Sequence, residues 1–223
     1  MPQPLSQLVY VRVQEGDGSP RIITMHGYNQ YARDVEEYGL AAAAKGRVIG
    51  LESYKGVYSG RAILGYTWLV GPEAHPSPLF FGDALAEIER FLWDEVDRQE
   101  TEEAELPFLV GVEQGGIMAL AAAAAVPDLL SGVIAIDAFL PIVPGWEPPL
   151  APLDGLPVLL LNREGAPSAP AGVLAGPELA ETLRAWGATV EVVTDLPSDA
   201  VPGEQMARWV SRQAPRRRTA SGD

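Results

Sequence analysis

The chain has 223 residues, of which 47% are hydrophobic, so it is long enough to bury a sizeable core as one large α/β domain. Its formal net charge of −14 argues against nucleic acid or an anionic membrane as a partner. The absence of cysteine excludes disulfides, thiol nucleophiles and cysteine-ligated metals.

Apolar periodicity predicts strands that alternate with helices along the chain. The first half is predicted to contain, in order, strands at 8–13 and 21–25, a helix at 33–45, a strand at 47–51, an irregular segment at 52–81 and a helix at 83–103. The second half is predicted to contain a strand at 107–112, a helix at 114–126, a strand at 132–136, a proline-rich loop at 137–155, a strand at 157–161, a helix at 178–186, a strand at 188–194 and a helix at 203–212. The central strands are continuous apolar runs, which is typical of a parallel sheet covered by helices on both faces. We therefore expect an α/β fold with a mostly parallel central sheet of about seven strands.

The predicted domain organisation is simple. Residues 1–213 are expected to form a single domain, because no internal repeat or linker interrupts them, and residues 214–223 are expected to form a flexible C-terminal tail. No basic segment followed by an apolar one opens the chain, and no apolar run reaches the roughly 18 residues of a membrane span. We therefore expect a cytoplasmic protein without membrane contact, and the Ala, Gly and Arg usage is typical of a bacterial genome.

The most informative motif joins the strand at 107–112 to the helix that follows it. The apolar run ends in Gly-Val-Glu-Gln-Gly-Gly, and an alanine-rich helical stretch begins at once. This is the spacing of a nucleophile elbow, in which the reactive side chain sits at a strained corner between strand and helix. Gly111 and Gly115, two residues before and after the corner, are small enough for so tight a turn. The corner residue is Glu113, where a serine hydrolase carries serine.

Four stretches together resemble the α/β-hydrolases of the phospholipase/carboxylesterase group. They are the His-Gly that ends the strand in 22–28, the Gly-Tyr-x-Trp of 65–68, the elbow of 111–116 and the strand with its loop at 132–141, where Asp137 and Ala138 replace the family's usual Ser-Gly. The resemblance implies an α/β-hydrolase fold without a large lid domain. Because dimers are common in that family, it also makes a homodimer an expectation.

The catalytic triad of that family does not carry over to this chain. The resemblance places Glu113 at the nucleophile position, Ala166 at the acid position and Asp199 at the histidine position. The two histidines, His26 and His75, both precede the elbow. Ordinary serine esterase activity is therefore not expected, because that mechanism needs a hydroxyl, a base and a group that orients the base.

Other parts of the site are predicted from backbone geometry and from strand ends. An oxyanion hole is expected from the backbone N–H of Gln114 and one N–H of the Gly27–Tyr28 loop. Further substrate contacts are predicted for three side chains, namely His26, Trp68 and Asp137. No glycine-rich phosphate loop and no metal-ligand spacing is present, so we expect neither a cofactor nor a metal.

Three functions remain open at this point. In the first, Glu113 and Asp199 share a proton and perform acid/base chemistry, such as dehydration, isomerisation or cyclisation, on a small, largely apolar substrate. In the second, the chain is a hydrolase-like protein that binds a small ligand without catalysis. In the third, Glu113 is a carboxylate nucleophile, although the histidine that normally activates water for the second step is missing.

Overall fold

A computed structural model of the chain describes residues 8–14, 18–43, 45–99, 103–198 and 200–219. The strands are β1 (Val9–Gln14), β2 (Gly18–Met25), β3 (Gly46–Glu52), β4 (Lys55–Ser59), β5 (Ala62–Thr67), β6 (Glu103–Glu105), β7 (Phe108–Val112), β8 (Gly132–Ile136), β9 (Pro157–Arg163), β10 (Thr189–Leu196) and β11 (Arg217–Thr219). The helices are α1 (Glu36–Ala42), α2 (Pro78–Asp97), α3 (Gln114–Ala125), α4 (Gly176–Ala185) and α5 (Gly203–Arg212), with short 3₁₀ helices at Ala32–Val35 and Pro127–Leu129.

Seven strands form the central sheet in the order β1-β3-β2-β7-β8-β9-β10. Strand β1 pairs antiparallel with β3, and every other pairing in this sheet is parallel. Every residue of β7 and β8 is buried, as expected for central strands covered on both faces. The predicted mostly parallel sheet flanked by helices is confirmed.

Two apolar layers cover the two faces of the sheet. One cluster joins the sheet to α2, α3 and α4, and it includes Ile88, Leu109, Leu120 and Leu183. The other joins the opposite face to α1 and α5, and it includes Val48, Ile134, Leu161 and Trp209. Helix α3 is buried on nearly all sides, which explains why its sequence is alanine-rich rather than amphipathic. The helix that follows the elbow is therefore held rigidly against the sheet.

The segment predicted to be irregular, 52–81, is largely structured, and that prediction was wrong. Strands β4 and β5 form an antiparallel hairpin whose tip contains Gly60 at φ +61°. Helix α2 begins at Pro78, earlier than predicted, since proline is well tolerated in the first turn of a helix. The hairpin is partly exposed, so its sequence lacks the apolar alternation by which strands are recognised.

Part of the predicted C-terminal tail also forms regular structure. Strand β11 pairs antiparallel with β6, and the guanidinium of Arg218 lies 4.1 Å from the ring centre of Trp93. The expectation of a flexible tail therefore does not hold for Arg217–Thr219, whereas 220–223 lie outside the described residues. Over the ranges that the structure describes, no helix combines the length and apolar character needed to cross a membrane.

Candidate active site

Glu113 occupies the sharp corner between β7 and α3. Its backbone has φ +52° and ψ −114°, a conformation that side-chain-bearing residues rarely adopt. The corner is held by hydrogen bonds from the Glu113 N–H to the carbonyl of Ile136 (2.8 Å) and from the Ile117 N–H to the carbonyl of Glu113 (3.0 Å). The backbone at Glu113 thus has the strained strand-to-helix geometry predicted from the sequence.

The glycines around the corner are required by close backbone approach. A Cβ on Gly111 would lie 2.2 Å from the carbonyl oxygen of Gly115, and a Cβ on Gly115 would lie 2.1 Å from the carbonyl oxygen of Met25. Both distances are far below van der Waals contact. The Gly-x-Glu-x-Gly spacing is therefore a steric requirement of this turn.

Three charged residues meet at the carboxyl ends of three neighbouring strands. Glu113 follows β7, Asp137 follows β8, and Arg163 ends β9. The Arg163 Nη2 lies 3.4 Å from Glu113 Oε1, its Nε donates to Asp137 Oδ2, and its backbone N–H donates to Asp137 Oδ1 at 2.7 Å. Because parallel strands end at the same edge of a sheet, their terminal residues converge there.

Burial differs sharply among these three groups. The side chain of Asp137 is 4% exposed and that of Arg163 is 18% exposed, whereas the side chain of Glu113 is 42% exposed. Burial lowers the pKa of Arg163, but the hydrogen bond and charge of Asp137 outweigh it, so the net pKa is raised. Asp137 and Arg163 therefore form a largely buried ion pair, and Arg163 contacts the more exposed Glu113.

Tyr38 completes this cluster from α1. Its hydroxyl oxygen accepts from Arg163 Nη1 at 3.3 Å. Burial raises the pKa of Tyr38, and the nearby Arg163 charge offsets part of that rise. Tyr38 thus supplies a neutral acceptor for Nη1, the guanidinium nitrogen that contacts neither Asp137 nor Glu113.

The Glu113 carboxylate opens onto a cleft of about 620 Å³. Besides Glu113, the cleft is lined by the carboxylates of Glu73 and Asp137 and by mainly apolar residues, including Ile117, Ala138, Phe139, Ala166, Pro167, Ala169, Pro170 and Ala175. A volume of this order suits a small organic ligand. The apolar character of the substrate stays a prediction.

A second cavity, of about 560 Å³, adjoins the cleft at Glu73. It is lined by residues that include Tyr28, Val57, Leu69, Val70, Pro72 and Gln114. The Gln114 side chain is buried and joins the elbow to the loop between β5 and α2, because its Oε1 accepts from the Thr67 hydroxyl (2.8 Å) and the Trp68 N–H (3.1 Å). The buried side chain of Gln114 therefore ties the elbow to this loop, and the oxyanion-hole role of its backbone N–H stays a prediction.

His26 and Trp68, predicted as substrate contacts, are fully buried beneath the site and do not line either cavity. The His26 ring bridges two backbone groups, with Nδ1 2.7 Å from the Gly27 carbonyl and Nε2 accepting from the Ser53 N–H at 3.2 Å. Burial lowers the pKa of His26 to about 4. The Trp68 indole N–H donates to the His26 carbonyl at 2.9 Å. Both side chains therefore shape the loop from below, and their contact with substrate stays a prediction.

The backbone donors expected for an oxyanion hole are only partly engaged. The Gly27 N–H donates to Gln30 Oε1 at 2.7 Å, so Gly27 does not offer a free donor. Within the described residues, no hydrogen bond engages the N–H of Tyr28 or that of Gln114. The Glu113 Oε2 lies 2.6 Å from the place where a Cβ on Gly27 would be, so the carboxylate lies beside this loop.

The two other positions that the resemblance assigned to the triad are Ala166 and Asp199. Ala166 lines the cleft with a methyl group. Asp199, the predicted partner of Glu113, lies outside the described residues, so their pairing stays a prediction. Its neighbour Ser198 lines a smaller cavity of about 190 Å³ together with Asp137 and Arg163. Over the part of the chain that the structure describes, no group of three or more acidic or histidine side chains is arranged to hold a metal ion.

Sequence reasoning missed two charged residues of the site, Arg163 and Glu73. Arg163 ends one apolar strand, and Asp137 follows another. Two opposite charges at the ends of two predicted parallel strands were the signal that could have indicated this ion pair. Glu73 lies in a loop among prolines and glycines and has no pattern that distinguishes it from a solvated acid. Both are recognised only when the strand ends and the loop are brought together.

Comparison with known proteins finds one curated relative over part of its length. The proposed esterase NocK of Nocardia uniformis subsp. tsuyamanensis is 30% identical over 158 residues, which span 69% of this chain but only 42% of NocK. No protein-family model matches the chain.

Solved structures give a broader match. A Bacillus cereus carboxylesterase superposes with a TM-score of 0.75 at 16% identity, covering 93% of this chain and 95% of its own. A Mesorhizobium loti carboxylesterase gives 0.70 at 14% identity, covering 87% and 90% of the two chains. A phospholipase/carboxylesterase from Dyadobacter fermentans gives 0.61 at 14% identity, covering 93% and 97%. The fold is therefore that of the carboxylesterase-like and phospholipase-like α/β-hydrolases.

Proposed function

We propose that the chain is an enzyme on an esterase-like α/β-hydrolase scaffold that has lost the serine triad and uses Glu113 for acid/base chemistry. The substrate is a small, largely apolar carbonyl compound. One observation carries this proposal. The elbow presents a carboxylate that is open to the cleft and contacts Arg163, which is itself paired with Asp137 in a largely buried ion pair.

The position of Glu113 supports a role as general base. A carboxylate that opens onto an apolar cleft can approach a C–H bond next to a substrate carbonyl. Glu113 removes that proton, and negative charge develops on the carbonyl oxygen. The N–H groups of Gln114 and Tyr28 stabilise this charge, as backbone donors at an elbow do in acyl transfer.

The second half of the reaction returns the proton. Protonated Glu113 delivers it to a different carbon in an isomerisation or to a departing hydroxide in a dehydration, and Asp199 is proposed as the second acid. The Arg163 guanidinium, 3.4 Å from Glu113 Oε1, fixes the position of the carboxylate at the elbow. A positioned acid or base contributes about 10²- to 10⁴-fold in rate.

A second candidate is a non-catalytic ligand-binding protein. It is favoured by the ion pair between Glu113 and Arg163, because a carboxylate with a cationic partner can be a purely structural anion. The nucleophile alternative is less well supported. Hydrolysis of a glutamyl ester needs a base beside it, whereas the nearest histidine in sequence, His75, lines neither the cleft nor the cavities that adjoin it.

The test is exchange of carbon-bound protons for deuterium. A panel of small ketones and β-hydroxy carbonyl compounds is incubated with the protein in D₂O and followed by proton NMR. We expect the native chain to accelerate exchange for a subset of the panel, and Glu113→Gln to lower the rate by about 10²-fold or more. The matched control is Glu181→Gln, which removes an equal charge from an exposed position on α4 and should leave the rate unchanged.

The other candidates predict different results. Unchanged exchange in Glu113→Gln contradicts the role of Glu113 as a base. Saturable binding of panel members without any exchange favours the ligand-binding protein. A mass increase on Glu113 after exposure to epoxides or alkyl halides favours the nucleophile, and labelling by a serine-directed fluorophosphonate contradicts the loss of the serine mechanism.

A further inference from the structure

We infer that Glu73 is a specificity-determining residue that binds an ammonium group of the substrate, so that the substrate is a small carbonyl compound whose apolar frame also carries an ammonium group. The inference rests on the proposed function in one respect, namely that the substrate occupies the cleft that contains Glu113. Glu73 lines both this cleft and the adjoining cavity of about 560 Å³. A ligand that extends from one to the other therefore passes its carboxylate.

The Glu73 side chain is anchored by a hydrogen bond whose direction is determined. Gln114 Oε1 accepts from two backbone groups that can only donate, the N–H groups of Trp68 (3.1 Å) and Leu69 (3.4 Å). This assigns the oxygen of the Gln114 amide, so its Nε2 must be the group that faces Glu73 Oε1 at 2.8 Å. One carboxylate oxygen of Glu73 is thereby held in place at the boundary of the two cavities.

The charges around the cleft favour a cation. Among the residues that the structure describes, its lining contains Glu73, Glu113 and Asp137 and no lysine or arginine. Arg163 neutralises Asp137 and contacts Glu113 from the adjoining small cavity. Within the described ranges, no ion pair reaches Glu73, whose hydrogen-bond partner is the neutral Gln114 amide. A ligand ammonium group would supply the missing positive charge, whereas a ligand carboxylate would be repelled.

The other residues that line the two cavities indicate what the rest of the ligand consists of. The adjoining cavity offers Val57, Leu69, Val70 and Pro72, and the cleft offers Ile117 and Phe139. Such walls take up hydrocarbon, so the ligand that fits combines one ammonium group with an apolar chain or ring.

The test compares three probes of equal chain length, n-hexylammonium, n-hexanol and hexanoate, by titration into the isotope-labelled protein at pH 7 with NMR detection of backbone amides. We expect hexylammonium to bind most tightly and hexanoate least tightly. We expect Glu73→Gln to weaken hexylammonium about tenfold while changing the affinity for hexanol by less than about twofold. The glutamine amide oxygen still accepts from Gln114, so this variant retains the anchoring hydrogen bond, and Glu181→Gln is the matched control for loss of one surface charge.

Several outcomes would overturn the inference. They are hexanoate or hexanol binding as tightly as hexylammonium, an unchanged hexylammonium affinity in Glu73→Gln, an equal loss in Glu181→Gln, or no saturable binding of hexylammonium. The measurement needs no turnover. A native chain that binds the amine through Glu73 but exchanges no protons would therefore contradict the proposed chemistry and leave the role of Glu73 standing.

Discussion

Replacing Arg163 by methionine tests whether the Arg163–Asp137 pair is what holds the site together. The variant keeps the backbone N–H that donates to Asp137 Oδ1 at 2.7 Å but removes the guanidinium that donates to Oδ2. Because the Asp137 side chain is only 4% exposed, its charge would remain buried without a cation. Removing one partner of a buried ion pair costs about 3–5 kcal/mol. Loss of the contact between Arg163 and the half-exposed Glu113 would add less than about 1 kcal/mol to that cost.

The free energy of unfolding is measured by urea denaturation followed by tryptophan fluorescence. We expect Arg163→Met to lower it by about 3–5 kcal/mol and to lower the melting temperature by about 10 °C. The matched control is Arg208→Met, because Arg208 and its partner Glu204 are 66% and 78% exposed. Such an exposed pair contributes less than about 1 kcal/mol.

A second variant separates the ion pair from the general effect of losing a long side chain. Asp137→Asn combined with Arg163→Met removes both charges, so we expect the double variant to be less destabilised than the sum of the two single variants. Arg163→Met costing no more than Arg208→Met, or strict additivity in the double variant, would refute the assignment of a buried supporting pair.

Two further predictions concern the backbone around the site. Burial lowers the pKa of His26 from 6.5 to about 4, so between these pH values the unfolded chain binds a proton that the folded chain does not. The free energy of unfolding should therefore fall by about 3 kcal/mol as the pH drops from 6.5 to 4. Urea titrations across this range check it, and the same slope in His26→Gln would contradict it. Glu113→Gly should raise the free energy of unfolding by about 1 kcal/mol, since glycine relaxes the backbone at φ +52° at some entropic cost. Circular dichroism melts check this, and a large destabilisation would argue against strain at the elbow.

Much of the fold follows from patterns that are local in sequence. The apolar runs of β7, β8 and β9 identify central strands because a strand buried on both faces has no polar face to show. The glycines around Glu113 identify the elbow because a close backbone approach excludes any Cβ. The hairpin β4–β5 and the strand β11 were missed, since partly exposed strands carry little apolar periodicity.

The residues of the candidate site likewise fall into those predicted from local sequence and those identified only in the structure. The sequence by itself determined the corner, its occupant Glu113 and the scaffold beneath them, because each depends on residues adjacent in the chain. Only the tertiary structure decided that Arg163 and Asp137 support Glu113 and that Glu73 lies at the edge of its cleft. It also decided that His26, which was predicted to contact substrate, is fully buried. The physical reason is that charge pairing and burial depend on distances between segments, and those distances are set by the parallel sheet, which brings separate strand ends to one edge.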